Sequence, residues 1–596
     1  MLHILIGGAG CGKSTCLIQH LQKQLEAGEQ ILTLVPEQFS YEFDQKLYQI
    51  LGPVAFNQLE THSFKSLARA VFQRFGCVPD GKTNADELTK MALLYQAVLQ
   101  VSEREKKLQL LGKQCRQASF VSELAMMFTQ FRRSGIPPEQ LYNSSAELNG
   151  RLQEKMLDVF EIYQRYDRLL EQHQLKDTET DLSEAAAIAN GHDAFLGDVI
   201  FLDEFESFTE DEYQMLSVLL SSGKDLYIAL RMEHTRKEPF SLFAAVQETF
   251  CKIQDMAKKL RIPVETEVCD TPYRFQAAEL SWLNQHVFRN TQPFSGEAPH
   301  LHILEAQSPT EEVDYVCATI RRLLAKDHTL RCRDIAVLSN QMTDYRSILE
   351  TAMERYKLPY YMDEKESMLY TPLLVYLHTL LGILRQTRPD TELLMRLGKT
   401  GLTSCSVEEI SDLENYCYMW QIDGKTWNMP FTAGNFASAE AVRLKLLTPL
   451  QELREKLKGQ HTGAEFCSML YQFLTEQQVE EQLNRQLKII ADEQKRMQTS
   501  EEWALVWNSF IDILEHLSTL YRTLEMEFSE FSTVFAALTG NIQRATPPRT
   551  LDAVLISQGS TARLNAPKIV FLLGVCEGTF PAFPGGSMVF SERDCE

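Results

Sequence analysis

The chain has 596 residues, of which 44% are hydrophobic and 23% are charged, and this balance excludes a fibrous or a disordered protein. Its length exceeds the roughly 250–300 residues at which a single core stops growing, so we expect more than one domain. The formal net charge of −22 argues against a protein that holds nucleic acid by bulk positive charge, but it is compatible with a local basic groove or a basic partner subunit.

A strand–loop–helix unit opens the chain. Residues 2–6 (LHILI) form an apolar run of strand length, and residues 14–28 have helical periodicity that ends at a glycine. Further strands are predicted at residues 30–35 and 56–63. This βαβ order predicts a parallel sheet covered by helices.

Helical periodicity then dominates from about residue 84 to about residue 190. Apolar strands return at residues 198–202 and 225–231. We therefore predict a first α/β domain over residues 1–290, interrupted by a large helical insertion.

The same plan repeats in the second half, where a helical stretch from about residue 371 to 546 divides the predicted strands. These strands are residues 300–306, 334–339, 553–557 and 569–574. Residues 291–596 are thus predicted to form a second α/β domain with its own helical insertion. The fold class is α/β with parallel sheets.

Signals for a membrane or a metal–thiolate site are absent from the sequence. No apolar run reaches the roughly 18 residues of a membrane span, and the opening MLHILIGGAG lacks the basic start of a signal peptide. The thirteen cysteines are scattered, without a CxxC pair or a cluster with histidine. We expect a cytoplasmic protein with no membrane association.

The loop between the first strand and the first helix matches the P-loop pattern GxxxxGK[ST] at every fixed position. Its glycines let backbone N–H groups surround phosphate oxygens, and the helix N-terminus adds its dipole. Lys13 would reach the β- and γ-phosphates, and Ser14 would bind Mg²⁺. The predicted ATP-binding residues are Gly7, Gly8, Ala9, Gly10, Cys11, Gly12, Lys13, Ser14 and Thr15. The strand–loop–helix order disfavours the alternative, a glycine-rich turn that matches by chance.

An apolar run at residues 199–202 ends in two acids, Asp203 and Glu204. In P-loop ATPases an acid at this position holds Mg²⁺, and the next one orients or deprotonates the attacking water. Taken alone, the run is equally consistent with a buried strand whose acidic tip is solvated. Together with the glycine-rich loop it predicts Asp203 as a Mg²⁺ ligand, with Glu204 and Lys13 as catalytic residues.

Five longer segments of the sequence resemble a known protein family. They are residues 32–47 (LTLVPEQFSYEFDQKL), 61–72 (THSFKSLARAVF), 334–377, 410–427 (ISDLENYCYMWQIDGKTW) and 566–582 (APKIVFLLGVCEGTFPA). With these segments in this order the chain resembles superfamily 1 helicases, and specifically the B subunit of the bacterial AddAB (RexAB) helicase–nuclease. The resemblance implies two RecA-like domains, an A-type helicase–nuclease as partner, DNA as substrate, and double-strand break repair by homologous recombination.

The resemblance also implies contacts with the DNA backbone. Residues 32–40 resemble helicase motif Ia, and the segment from Thr61 resembles the motif that follows it. For His62 the alternative is a loop or core histidine whose ring is already paired. The candidate contacts are Gln38, Thr61, His62, Ser63 and, in the eroded motif V region, Arg563.

The chain also departs from the helicase pattern. The glutamine motif that reads adenine and the GDxxQ motif are missing, and no motif VI supplies an arginine finger, so unwinding by this polypeptide alone is not expected. Family members continue into a nuclease domain and an iron–sulfur cluster. Neither constellation is found here, so we expect the N-terminal portion of such a subunit.

Three functions remain open at this stage. The first is an ATP-binding, helicase-like subunit of a heterodimeric helicase–exonuclease. The second is an autonomous superfamily 1-like ATPase. The third is a degenerate helicase scaffold that recognises a DNA sequence such as a recombination hotspot without turning over ATP.

Overall fold

The computed structural model describes residues 1–596 except 58, 77–81, 106, 147, 237–240, 272, 276, 288–292, 364, 495–496, 546–551, 560–561, 563, 565–566, 582–588 and 591–596. The chain opens with alternating strands and helices, as the sequence predicts. These are β1 (Leu2–Gly7), α1 (Lys13–Glu26), β2 (Ile31–Leu34), α2 (Ser40–Phe56), β3 (Leu59–His62) and α3 (Phe64–Phe75). The strand predicted over residues 56–63 is shorter than expected because α2 continues to Phe56.

A mostly helical segment follows, and it agrees with the predicted helical stretch at residues 84–190. Its elements are β4 (Thr83–Asn84), α4 (Glu87–Leu99), α5 (Ala118–Arg133), α6 (Pro138–Ser145), α7 (Arg151–Gln172), β5 (Leu175–Lys176) and α8 (Asp181–Gly191). The chain then returns to the first sheet. That return comprises β6 (Val199–Leu202), α9 (Glu210–Ser222), β7 (Asp225–Arg231), α10 (Ala244–Lys259), β8 (Val264–Val268) and α11 (Ala278–His286).

The first sheet has six parallel strands in the order β3-β2-β6-β7-β1-β8. One face packs against α1 and α2, and the other packs against α3, α8, α9 and α10. Because helices cover both faces, β2 and β6 are buried along their whole length. The strands that precede the glycine-rich loop and Asp203 are separated by β7 alone, so both sequences emerge at the same edge of the sheet.

The second sheet begins after α12 (Pro309–Lys326). Its first part comprises β9 (Ile335–Ser339), α13 (Met342–Arg355) and β10 (Tyr360–Met362), and β11 (Lys365–Ser367) comes next in the chain. Two strands from near the end of the chain, β15 (Val554–Gln558) and β16 (Ile569–Leu573), complete the sheet. Its four parallel strands lie in the order β10-β15-β9-β16. The predicted strands at residues 334–339, 553–557 and 569–574 are confirmed.

The strand predicted at residues 300–306 is wrong. Residues 301–306 form no regular element, and Leu301, Ile303 and Leu304 are exposed. The apolar pattern is typical of a strand, but a strand needs a neighbour that pairs with its backbone N–H and C=O groups. Within the described residues this segment joins neither sheet.

The second helical segment lies between β11 and β15. Its elements are α14 (Pro372–Arg385), α15 (Thr391–Lys399), α16 (Val407–Met419), α17 (Phe436–Lys456), β12 (Gln460–Thr462), α18 (Gly463–Glu476), α19 (Val479–Gln494), α20 (Met497–Leu520), β13 (Glu525–Glu527), α21 (Phe528–Gly540) and β14 (Gln543–Ala545). No helix in the described part of the chain is long and apolar enough to cross a membrane.

The two helical segments share one hydrophobic core rather than forming separate bodies. Buried side chains from α4, α5 and α7 belong to the same cluster as those from α14 to α18, α20 and α21. Tyr521, which is fully buried, donates a hydrogen bond from its hydroxyl to the Ala92 carbonyl oxygen at 2.6 Å. Apart from α8, which packs on the first sheet, the two helical stretches therefore form one packed unit, although about 180 residues separate them in the sequence.

Candidate functional site

The glycine-rich loop joins the end of β1 to the start of α1. Gly10 and Gly12 have φ values of 73° and 81°, a left-handed conformation that disfavours residues with a Cβ. Gly12 caps α1 without a side-chain hydrogen bond, and the first turn contains no acidic residue. The N–H groups at this helix end are therefore available to an anion, which the helix dipole also favours.

Lys13 is the first residue of α1, and its side chain folds back onto the loop. Its Nζ donates a hydrogen bond to the Gly8 carbonyl oxygen at 2.8 Å. Burial lowers the pKa of the Lys13 ammonium group, while the nearby Asp203 carboxylate acts in the opposite direction. A partly buried cation held in this way is suited to bind a polyanion that reaches the loop.

Asp203 follows β6 directly and is only 4% exposed. Its Oδ1 accepts a hydrogen bond from the Glu204 backbone N–H at 2.9 Å, whereas its Oδ2 is buried without a hydrogen-bond partner. Burial raises the pKa of Asp203 to about 6, Glu204 adds to this shift, and the Ser14 side chain opposes it. A buried carboxylate with one unpartnered oxygen and a serine side chain beside it is a fitting environment for a hard divalent cation such as Mg²⁺.

Glu204 differs sharply from its neighbour. Its side chain is exposed, and its φ of 63° lies in the left-handed region, which is unusual for a residue other than glycine. Such backbone conformations are concentrated at functional sites, where the surrounding structure compensates their cost. The chain thus presents one buried and one exposed carboxylate at the end of the same strand.

These residues line one cleft with a volume of about 1250 Å³. Most of the predicted site residues meet there, including Lys13, Ser14, Thr15, Asp203 and Glu204. The second sheet reaches the cleft through Gly559, next to the end of β15, and through Ala562. The cleft therefore lies where the carboxyl ends of the parallel strands of both sheets converge.

Several lining residues were not predicted from the sequence. Tyr273 and Arg274, which follow β8, donate backbone hydrogen bonds to the Gly10 carbonyl oxygen at 3.0 and 3.2 Å. A Cβ at Gly10 would lie 2.5 Å from Arg274 Cβ, and a Cβ at Gly12 would lie 3.0 Å from the Tyr273 ring. The loop glycines are thus also required by this packed segment. No local sequence pattern predicts a contact between residues some 260 positions apart in the chain.

Cations and acids both surround the cleft. The unpredicted cationic side chains at its wall are Lys46, Lys65, Arg133, Arg231 and Arg274. Two of these cations are paired with carboxylates: Arg133 Nε lies 2.6 Å from Glu179 Oε2, and Arg231 contacts Glu206. A local group of cations therefore exists in a chain whose formal net charge is −22.

Only some of the residues predicted to contact DNA lie at the cleft. Gln38 and Ser63 line the cleft, and Ser63 also caps α3 by accepting a hydrogen bond from the Ser66 N–H. Thr61 and His62 are not among the lining residues. The Thr61 hydroxyl accepts a hydrogen bond from Thr33 at 2.8 Å.

The His62 ring has partners on both nitrogens. Its Nδ1 lies 3.2 Å from Ser66 Oγ, and its Nε2 lies 3.7 Å from Glu60 Oε2. This arrangement favours the structural interpretation of His62 over a role in binding. Arg563 lies outside the described residues.

Comparison with known proteins agrees with the sequence resemblance. Residues 4–284 match the family model described as ADDB, N-terminal. The B subunit of the ATP-dependent helicase/deoxyribonuclease from Clostridium novyi is 25% identical over 605 residues, which cover 99% of this chain and 52% of the relative. The proteins of the same name from Clostridium tetani and Acetivibrio thermocellus are 26% and 25% identical, and the matches cover 54% and 53% of those relatives.

The chain spans about half the length of these relatives, while the matches cover 99% to 100% of the chain itself. The predicted resemblance to the B subunits of bacterial helicase–nucleases is therefore confirmed.

Proposed function

We propose that this chain, which is similar throughout to helicase/deoxyribonuclease B subunits, is the ATP-binding, helicase-like part of a heterodimeric DNA helicase–exonuclease. Its relatives are named as subunits of an ATP-dependent enzyme, which supports a partner subunit and a nucleotide requirement. The proposed partner is an A-type helicase–nuclease, and the proposed substrate is DNA at double-strand breaks undergoing homologous recombination. We place this activity in the cytoplasm.

The parallel sheets on the two sides of the cleft support a pair of RecA-like domains. In the first sheet one strand, β7, separates the strand before the loop from the strand before Asp203. We assign these domains to residues 1–290 and 291–596, with helical insertions at about 84–190 and 371–546. Because the insertions share one core, they would hold the two sheets in a defined relation across the cleft.

A single observation supports the nucleotide site most directly. The Asp203 Oδ2 atom is buried and has no hydrogen-bond partner, and the carboxyl group that carries it interacts with the Ser14 side chain and with Lys13. Leaving a buried carboxylate oxygen unpartnered costs about 1–3 kcal/mol or more. A bound cation would remove this cost, and Ser14 and Asp203 would hold Mg²⁺ there.

The proposed mechanism follows from the positions of Lys13, Ser14, Asp203 and Glu204. The triphosphate binds over the N-terminus of α1, where uncapped N–H groups and Lys13 bind its oxygens. Bound Mg²⁺ would neutralise charge on the β- and γ-phosphates. Glu204, exposed in the cleft, orients a water molecule toward the γ-phosphate and accepts its proton.

A second candidate function is nucleotide binding without turnover, within a scaffold that recognises DNA. It is favoured by the composition of the cleft: among the described lining residues, the second sheet region supplies only Gly559 and Ala562, neither of which carries a charge. Phosphoryl transfer usually needs a cation that stabilises the transition state from outside the loop. The arginines at the cleft that adjoin strands are Arg231, the last residue of β7, and Arg274, which follows β8. Both therefore belong to the first sheet and not to the second.

Glu204→Gln distinguishes the two candidates. The amide keeps the size of the side chain but cannot accept the proton, so we expect phosphate release to fall by about 10²–10³-fold while nucleotide affinity is retained. Phosphate release and fluorescent-nucleotide binding are measured with single-stranded DNA present. The control is Glu210→Gln, on the exposed start of α9, which leaves both unchanged. Equal, non-zero turnover in the parent and Glu204→Gln would remove Glu204 from the mechanism, and nucleotide binding without phosphate release by the parent would favour the second candidate.

A further inference from the structure

A cluster of metal-ligating side chains lies where α1 meets β8, on the face of the first sheet that α1 covers. Cys16 and His20 are one turn apart on α1 and therefore project from the same side of the helix. Glu267 lies near the end of β8, and Cys269 follows the strand directly, where its N–H still pairs with β1 through the Ile6 carbonyl oxygen. The fold thus brings together two pairs of residues separated by some 250 positions.

Three members of this cluster, Cys16, His20 and Glu267, have ligand atoms close enough together to share one ion, and Cys269 lies beside them. Cys16 Sγ lies 3.3 Å from Glu267 Oε1, and His20 Nε2 lies 3.2 Å from Glu267 Oε2. The ligand atoms of these three residues all lie within 4.8 Å of one another, and the Cys269 side chain contacts the Cys16 thiol. Tetrahedral zinc with ligands at about 2.0–2.3 Å separates its ligand atoms by about 3.3–3.8 Å.

A neighbouring pair shows what distinguishes the cluster. His3 and Glu265 face each other across β1 and β8, with Nδ1 and Oε2 3.2 Å apart. That pair is an ordinary histidine–carboxylate contact in which the His3 ring stacks on Tyr227. Within the described residues, the cluster around Cys16 is the one group in which three such ligands converge.

We propose that Cys16, His20, Glu267 and Cys269 form a binding site for a zinc-like divalent cation. Two thiolates, one imidazole and one carboxylate form a donor set that suits zinc and disfavours Mg²⁺ or Ca²⁺, which take oxygen ligands. The site is distinct from the nucleotide cleft and does not depend on the proposed function. It differs from the sequence-based expectation that the scattered cysteines form no metal site, because the ligands come together only in the folded chain.

The proposed metal site lies next to the glycine-rich loop. The Cys269 N–H donates to the Ile6 carbonyl oxygen at 2.7 Å, and a Cβ at Gly7 would lie 2.4 Å from the Cys269 oxygen. The same segment continues to Tyr273 and Arg274, which contact the glycine-rich loop. A bound ion would therefore tie the first turns of α1 to the segment that packs on the other side of the loop.

The test uses the full chain, stripped with a chelator and kept reduced, and titrated anaerobically with Co²⁺ as a spectroscopic substitute for zinc. We expect about one equivalent to give thiolate-to-cobalt charge transfer and the visible bands of a tetrahedral ion. The Cys16→Ser/Cys269→Ser double variant should lose these bands, and the His3→Gln control should keep them. Bands that persist in the double variant, or an octahedral spectrum in the parent, would overturn the proposal.

A second readout does not depend on the folding of any variant. Zinc should slow the alkylation of Cys16 and Cys269 in the parent chain by at least about tenfold, as peptide mass spectrometry can measure. The exposed Cys251 serves as the internal control, and its alkylation should not change. Alkylation of Cys16 and Cys269 at the same rate with and without zinc contradicts the site. A Cys16–Cys269 disulfide that forms equally fast in the presence of zinc contradicts it as well.

Discussion

The two parallel sheets approach the same cleft with very different side chains. From the first sheet come Lys13, Ser14, Asp203 and Glu204, together with the segment that carries Tyr273 and Arg274. From the second sheet region the described lining residues are Gly559 and Ala562. The first sheet therefore supplies the charged side chains that the proposed nucleotide site would use, and the described residues from the second sheet region are small and uncharged.

This asymmetry indicates where sequence changes should matter. In the first sheet, charged side chains are concentrated at the strand ends, and burial there raises the pKa of Asp203. The described cleft residues at the strand ends of the second sheet are uncharged. Substitutions there should therefore affect packing more than nucleotide binding. Substitutions at Asp203, at one glycine of each sheet and at Gln38 test this contrast.

Of these substitutions, Asp203→Asn should have the largest effect. Because burial raises the pKa of Asp203 from 3.8 to about 6, its ionised form opposes folding, and this penalty is fully present above pH 6 and vanishes below pH 4. The neutral amide should therefore raise the melting temperature at pH 8 in the absence of Mg²⁺. It should also weaken Mg²⁺-dependent phosphate release by roughly 100-fold, because a cation ligand is lost.

The check on this variant combines a thermal melt in chelator with a magnesium titration of turnover. At pH 4 the melting temperatures of parent and variant should converge, since the parent carboxyl is then mostly protonated. A variant that melts below the parent at pH 8 would show that other groups stabilise the ionised Asp203 carboxylate, and it would contradict the predicted cost of its burial.

Glycines at the two sheet ends give an intermediate effect. Gly10→Ala forces a Cβ into a left-handed conformation and to within 2.5 Å of Arg274 Cβ, so we expect nucleotide affinity to fall about tenfold. Gly559→Ala brings a Cβ to 2.9 Å from Asn340 Oδ1, which should affect stability and leave nucleotide affinity within about twofold. Fluorescent-nucleotide titrations of both variants test the contrast, and equal losses of affinity would contradict it.

Gln38→Ala should have the smallest effect. The side chain lines the cleft, so its removal should weaken single-stranded DNA binding about threefold through the loss of one polar contact. His62→Ala is the matched comparison, because His62 contacts Ser66 and Glu60 and is not a lining residue. Fluorescence anisotropy at fixed salt measures both affinities. A larger loss for His62→Ala would reverse the assignment of these two residues.

The sequence predicts the local parts of this molecule well. The glycine-rich loop, the first helix and the acidic end of β6 are contiguous in the sequence, and the structure confirms the strands and the helix around them. The predicted strands β9, β15 and β16 of the second sheet are confirmed as well. The strand predicted at residues 300–306 is wrong, because periodicity describes which residues are apolar and not whether a neighbouring strand exists.

Contacts between distant segments could not be predicted in this way. Tyr273 meets Gly12, and Glu267 meets Cys16, only because β8 pairs with β1 at the edge of the first sheet. Neither contact leaves a signature in spacing or composition. The shared core of the two helical segments is likewise a product of tertiary packing.

Binding of magnesium nucleotide at the end of the first sheet through Lys13 is tested by a titration of the parent chain and Lys13→Ala with fluorescent ATP and Mg²⁺. We predict saturable binding by the parent and a loss of about 10–100-fold or more in the variant, because the charged hydrogen bonds to phosphate disappear. Lys224→Ala, at the opposite end of the sheet before β7, is the control and should bind as the parent does. Equal affinity of Lys13→Ala and the parent would contradict the claim and leave the scaffold as the better description.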